Sequence, residues 1–182
     1  MKNLSFIAIL AFAMIFTVDA TAQKFSGLDK SPMDMASYPN DYKISNKTVR
    51  VIYSRPQLKG RSLAELAPAG KVWRTGANEA AEIQFYTDAT FGGKDIKAGI
   101  YSLFTVPGNG EWTVILNKNL NQWGAYSYEE GADVARVKVP SKADGSSLEE
   151  FSIAFEDAED GANLVMGWDK TRVAVPISFT KM

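Results

Sequence analysis

Beyond residue 22 the chain is written in short alternating segments cut by glycine and proline, and no segment holds a helical period for more than two turns. Val49, Val51 and Tyr53 alternate with Arg50, Ile52 and Ser54 until Pro56, which cannot donate to a ladder. Ala81, Ile83 and Phe85 alternate with Glu82, Gln84 and Tyr86 and lead to a tight turn at Gly92-Gly93. Ile100 to Val106 is apolar on both faces and reads as a central strand. Pro107-Gly108-Asn109-Gly110 then joins it to Glu111–Asn117 as an antiparallel hairpin. Further strands are expected over Val134–Val139, Phe151–Phe155, Leu164–Trp168, and Arg172–Val175 with Ile177–Phe179. Between them lie a polar surface loop at Ser141–Ser147, an acidic turn at Asp157–Gly161, a turn at Asp169-Lys170 and an interruption at Pro176. One short helix is expected, from Ser62 to Ala67, because Ser62 and Glu65 have capping-box spacing and Pro68 and Gly70 end it.

Some eight short strands of this kind predict an all-β fold, an antiparallel β-sandwich or flattened barrel of the jelly-roll sort. No glycine-rich loop joins a strand to a long helix, which disfavours a nucleotide-binding α/β fold. Residues 23–40, with Pro32 and Pro39 and no sustained period, read as an extended lead-in. Residues 41–182 read as one β-rich domain without an internal linker.

The first 22 residues have a different character. Lys2 precedes an apolar run from Leu4 to Val18, and Ala20-Thr21-Ala22 suits signal peptidase, so residues 1–22 are expected to be a removable signal peptide. The apolar run is shorter than the roughly 20 residues of a membrane-spanning helix, and no other long apolar stretch follows. A periplasmic or secreted product without a membrane span is therefore expected.

The chain has no cysteine and no histidine. That removes thiolate nucleophiles, disulfides, lipid attachment through cysteine, Ser-His-Asp catalysis and histidine-based metal or haem sites. No metal or cofactor is expected. Lys and Arg number 20 against 21 Asp and Glu. A balanced surface of this sort lacks the basic patch that nucleic acid requires, so no nucleic-acid partner is expected.

Three loops carry groups suited to a site. Lys71–Ala80 holds Trp73, Arg74, Asn78 and Glu79: a flat apolar face, a guanidinium fork, an amide and an acceptor. Read structurally, the same residues are a core indole, an Arg74–Glu79 pair and a turn at Gly76 with positive φ. Asn117–Tyr128 contains Lys118, Trp123 and Tyr126 at a strand end, suited either to stacking on a sugar or base or to plugging the core. Arg55 and Arg61 flank Pro56–Gly60, where an anion-reading loop competes with an ordinary solvated charge run. For hydrolysis the chain offers carboxylates such as Glu79, Glu82 and Asp133, but neither a Lys-Thr-Gly motif nor a calcium-loop pattern.

The blocks Ser54-Arg55-Pro56, Lys59-Gly60-Arg61, Val72–Ala80, Ala98–Thr105, Asn117-Lys118 and Gln122–Tyr126, with Gly70 and Trp112, closely resemble the domain of unknown function 2911 family of exported bacterial proteins. The resemblance runs from about Tyr42 to Phe179. It implies export and a single domain; the family has no established activity, so no catalytic role follows. It also implies that Arg55, Arg74, Asn78, Glu79, Lys118 and Trp123 meet at one site. The expected function is binding of a polar or anionic small ligand or glycan in the cell envelope. The alternatives are a hydrolase using a carboxylate pair, such as Glu79 with Asp133, and a protein-interaction or structural envelope module.

Overall fold

The computed structural model describes residues 23–179, so the expected signal peptide lies outside the described residues. The strands are β1 (Met33–Tyr38), β2 (Val49–Ser54), β3 (Ala81–Phe85), β4 (Ala89–Phe91), β5 (Lys94–Ile96), β6 (Gly99–Val106), β7 (Glu111–Asn117), β8 (Asp133–Ala158) and β9 (Gly161–Phe179). Helix α1 is a single turn, Leu63–Leu66, and the expected capping box forms: Ser62 Oγ accepts from the Glu65 N–H while Glu65 accepts from the Ser62 N–H. A 3-10 turn spans Glu130–Ala132.

Every pairing is antiparallel, and the strands form one sheet in the order β1-β2-β3-β6-β7-β8-β9-β4-β5. The all-β antiparallel class is therefore as expected, with β6 central and joined to β7 as a hairpin. The sheet does not close into a barrel. It bends into two layers because β8 serves both: Asp133–Pro140 pairs with β7, while Ser141–Ala158 pairs with β9. The buried faces of β2, β3, β6 and β7 then meet Phe151, Ile153 and Phe155 of β8 and Leu164, Met166 and Trp168 of β9 in one core.

Several local expectations change. The lead-in contains strand β1, whose alternation is obscured by Met33 and Met35 on an exposed edge. Its partner β2 supplies the register, Met33 opposite Ser54 and Tyr38 opposite Val49. Short strands β4 and β5 flank the Gly92-Gly93 turn and carry too few residues to show a period. The Ser141–Ser147 loop is smaller than expected. Ser141, Lys142 and Ala143 pair with Val173, Arg172 and Thr171, and the register shifts between Ala143 and Leu148 and again between Leu148 and Ser152.

Pro176 does not interrupt β9, because it falls between the residues paired with β8, which end at Val173, and those paired with β4, which begin at Ile177, where no ladder N–H is required. Straight strand at about 3.3 Å per residue would carry Ile177 some 50 Å from Gly161. Instead a Cβ added to Gly161 would run into the Ile177 carbonyl oxygen. The strand thus folds back on itself, and Asp169, at φ 47°, marks the reversal where the sequence places a turn.

The two layers are joined by polar clamps as well as by the core. Tyr53 Oη accepts from the Ile153 N–H at 3.0 Å. Arg55 Nε donates to the Phe151 carbonyl at 3.2 Å, Nη2 to Ser152 Oγ at 2.8 Å and Nη1 to the Asp34 carboxylate at 3.1 Å. No helix among the described residues is long and apolar enough to cross a membrane.

Candidate functional site

The loop between α1 and β3 is pinned at its neck. Trp73 and Thr105 exchange backbone hydrogen bonds at 2.7 and 2.9 Å, and the Ala81 N–H donates to the Arg74 carbonyl at 3.0 Å. Between these ties the backbone is tightly wound, but Gly76 does not supply the positive φ. Thr75 (φ 53°) and Asn78 (φ 60°) do. A buried β-branched residue in the left-handed region is strained by about 1–3 kcal/mol, and such strain gathers where a loop has to present groups in a set direction. Thr75 is held there by its hydroxyl contact with Thr105 at 3.2 Å. Gly76 serves close approach instead: a Cβ there would lie 3.0 Å from the Ser54 carbonyl oxygen of β2.

The Arg74–Glu79 pair does not form. Arg74 Nη1 donates to the Asn78 carbonyl at 3.1 Å, and the same carbonyl accepts from the Gly124 N–H at 2.9 Å. Asn78 thereby couples this loop to the one after β7. Glu79 bridges Trp123 through the backbone, and Ala80 N–H donates to Gln122 at 2.8 Å. These backbone bonds hold two of the three polar loops together.

Arg61, Arg74 and Asn78 line one cavity of about 260 Å³, together with the indoles of Trp73 and Trp168. Those indoles stack at 5.5 Å and 17°, and Trp73 also meets Phe151 and Trp112 edge-on. Arg61 is steadied by the Leu58 and Gln57 carbonyls at 3.0 and 2.9 Å. Among the described residues neither guanidinium forms an ion pair with a carboxylate. The lead-in passes beside the cavity. Ser31 contributes to its lining, and the Asp29 carboxyl is held below its ordinary range by the Ser31 N–H and then by the Asn78 side chain.

The remaining candidates separate. Arg55 is consumed by the clamp between layers, and Lys118 is exposed at the end of β7, its backbone N–H tied to Ala132 at 3.0 Å. Glu79 lines a different, smaller cavity with Glu82 and Asn121. Trp123 and Tyr126 do not plug the core: they are 61% and 81% exposed, on the loop whose Gly124 abuts Arg74. Tyr128 does the plugging, edge-on to Phe104 at 5.1 Å in a small cluster with Ile115 and Ala80. A tyrosine two residues past Tyr126 in an irregular loop carries no sequence signal that separates the two.

Asp133 is taken up by structure. It accepts from Asn117 at 2.7 Å, Tyr128 Oη at 2.6 Å and Arg136 at 2.8 Å. Burial, then the hydrogen bond to Asp133, pushes the Tyr128 phenol well above its ordinary value, and burial also raises Tyr38, Tyr53 and Tyr101. Below the unfolded tyrosine value of 10.0 both states hold these protons and the contribution is fully present. Above it the unfolded chain releases protons that the folded chain keeps, so stability falls with rising pH. Urea midpoints should drop from about pH 10 upward, and Tyr128→Phe should flatten that drop. Superimposable pH profiles for the two proteins would contradict the assignment.

An antiparallel β-sandwich with a cationic cavity beside the long connection between β2 and β3 is the class that fold and site define. Residues 31–177 match the family described as Protein of unknown function (DUF2911), and the chain belongs to that family. No curated protein and no solved structure matches it.

Proposed function

We propose that this protein binds a small anionic ligand, such as an acidic sugar or a phosphate, in the cavity of Arg61, Arg74 and Asn78. The observation that carries the reading is that Arg61 and Arg74 line one cavity and neither forms an ion pair among the described residues. A guanidinium fork reads carboxylate or phosphate bidentately, and the largely buried Trp73 and Trp168 back the cavity with rigid apolar structure. The expected signal sequence places the encounter in the periplasm or outside the cell. Exposed Trp123 and Tyr126 support a second reading in which the neighbouring loop contacts a protein partner. Hydrolysis by Glu79 and Asp133 has less support, since the two line different cavities.

The test is a melting-shift screen of glycans, uronic acids, phosphates and peptides, followed by calorimetry on each hit. At least one anionic hit is expected, weakened about tenfold or more by Arg74→Ala, the loss of a charge-assisted hydrogen bond. Binding constants unchanged in Arg74→Ala and Arg61→Ala proteins that melt normally would sink the reading.

A further inference from the structure

We propose a second binding site, for a small amphipathic anion, in the groove between α1 and the β6–β7 turn. This cavity measures about 440 Å³, within the range of roughly 300–1,000 Å³ typical of small-molecule sites. Leu63, Ala64 and Ala67 form one wall, the Pro107–Gly110 turn faces them, and Trp112, which is largely buried, lies at the base. Lys142 and Lys170 stand exposed in the lining, and no carboxylate lines the groove.

The charge pattern argues for an anion. The acidic side chains nearby are already committed: Glu65 to the Ser62 cap, Glu111 to Lys138 at 3.2 Å, Asp144 to Arg172 at 3.4 Å and Asp169 to Ser147 at 2.8 Å. Among the described residues Lys142 and Lys170 form no ion pair. Lys142 sits opposite Arg172 in the β8–β9 ladder, and Arg172 is the one that takes the Asp144 carboxylate, which leaves Lys142 without a counter-ion.

The neutral part of the site points the same way. The Trp112 indole N–H finds no acceptor among the described residues, and the single sealed, unpartnered side-chain donor there is Arg50 Nε, so the Trp112 donor remains open. Leu63, Ala67 and Pro107 supply the apolar surface for a short aliphatic or aromatic body. The break in β8 register after Ala143 and the reversal at Asp169 bring the two lysines to one rim, the kind of re-aiming that strand irregularities provide. The site uses none of Arg61, Arg74 or Asn78, so it stands apart from the function proposed above.

Fluorescence titration of the full chain with anilinonaphthalene sulfonate, and with its uncharged relative phenylnaphthylamine, tests the assignment. Saturable binding of the sulfonate is expected. Lys142→Gln with Lys170→Gln should weaken it about tenfold or more while leaving the uncharged dye unaffected. Ala64→Trp, which fills the groove from an exposed position, should weaken both dyes, and Arg74→Ala neither. The proposal is overturned by absence of saturable sulfonate binding, by equal affinity in the lysine variant, or by a loss that follows Arg74→Ala instead.

Discussion

Replacing Trp73 with alanine is expected to lower stability by about 4 kcal/mol, in the upper range for truncation of a buried aromatic side chain. Trp73 is 7% exposed and contacts three rings at once: stacked on Trp168, and edge-on to Phe151 and Trp112. These rings come from β7, β8 and β9, so the indole fills the space where the two layers meet, and no neighbour can close over the void without leaving its own ladder. Trp73→Phe keeps a ring there and should cost less than half as much. Urea unfolding followed by far-ultraviolet circular dichroism measures both. A loss under about 1.5 kcal/mol for the alanine variant would show that the cluster repacks freely. Because the same indole lines the Arg61–Arg74 cavity, the alanine variant should also weaken any ligand held there, and Trp73→Phe separates that effect from unfolding.

Gly161→Ala is expected to cost about 3 kcal/mol. Its φ of 154° lies in a region that L side chains avoid, a strain of about 1–3 kcal/mol. The added Cβ also meets the Ile177 carbonyl oxygen, which is backbone and cannot rotate away. Relief requires the two halves of β9 to part, weakening ladder bonds worth about 0.5–1.5 kcal/mol each. At roughly 2–4 °C per kcal/mol for a chain of this size, the melting temperature should fall by about 10 °C. Gly145→Ala, in the exposed break of β8 where a Cβ meets nothing within 4 Å, serves as the control and should melt within about 2 °C of the parent. Equal melting of the two variants would mean that β9 does not fold back as described.

Most of the strands were legible because alternation is a local signal. Val49, Val51 and Tyr53 bury one face of β2 whatever strand lies beside them, and the Ser62–Glu65 cap needs nothing outside its own turn. β1 was missed for the same reason. Its outer face meets water, so Met33 and Met35 sit exposed, and only β2 makes it a strand. The role of Gly76 was misread because glycine signals either positive φ or close approach. The nearby Ser54 carbonyl that decides between them is more than 20 residues away in sequence.

The sequence by itself determined the chemistry within reach: without Cys or His, a site must rest on guanidinium, ammonium, carboxylate, amide and aromatic groups. It also named three polar loops, of which the structure joins two through the Asn78 carbonyl. Only the tertiary structure decided which polar groups remain free for a ligand. Arg55 and Arg74 look alike in the sequence, yet Arg55 is spent on Phe151, Ser152 and Asp34, while Arg74 lines a cavity without an ion-pair partner among the described residues. The groove with Lys142 and Lys170 likewise exists only because β8 crosses between layers and β9 turns back. Side-chain periodicity encodes which face of a strand is buried; the partners a side chain meets depend on register and on the fold-back of distant strands, which packing of the whole core selects.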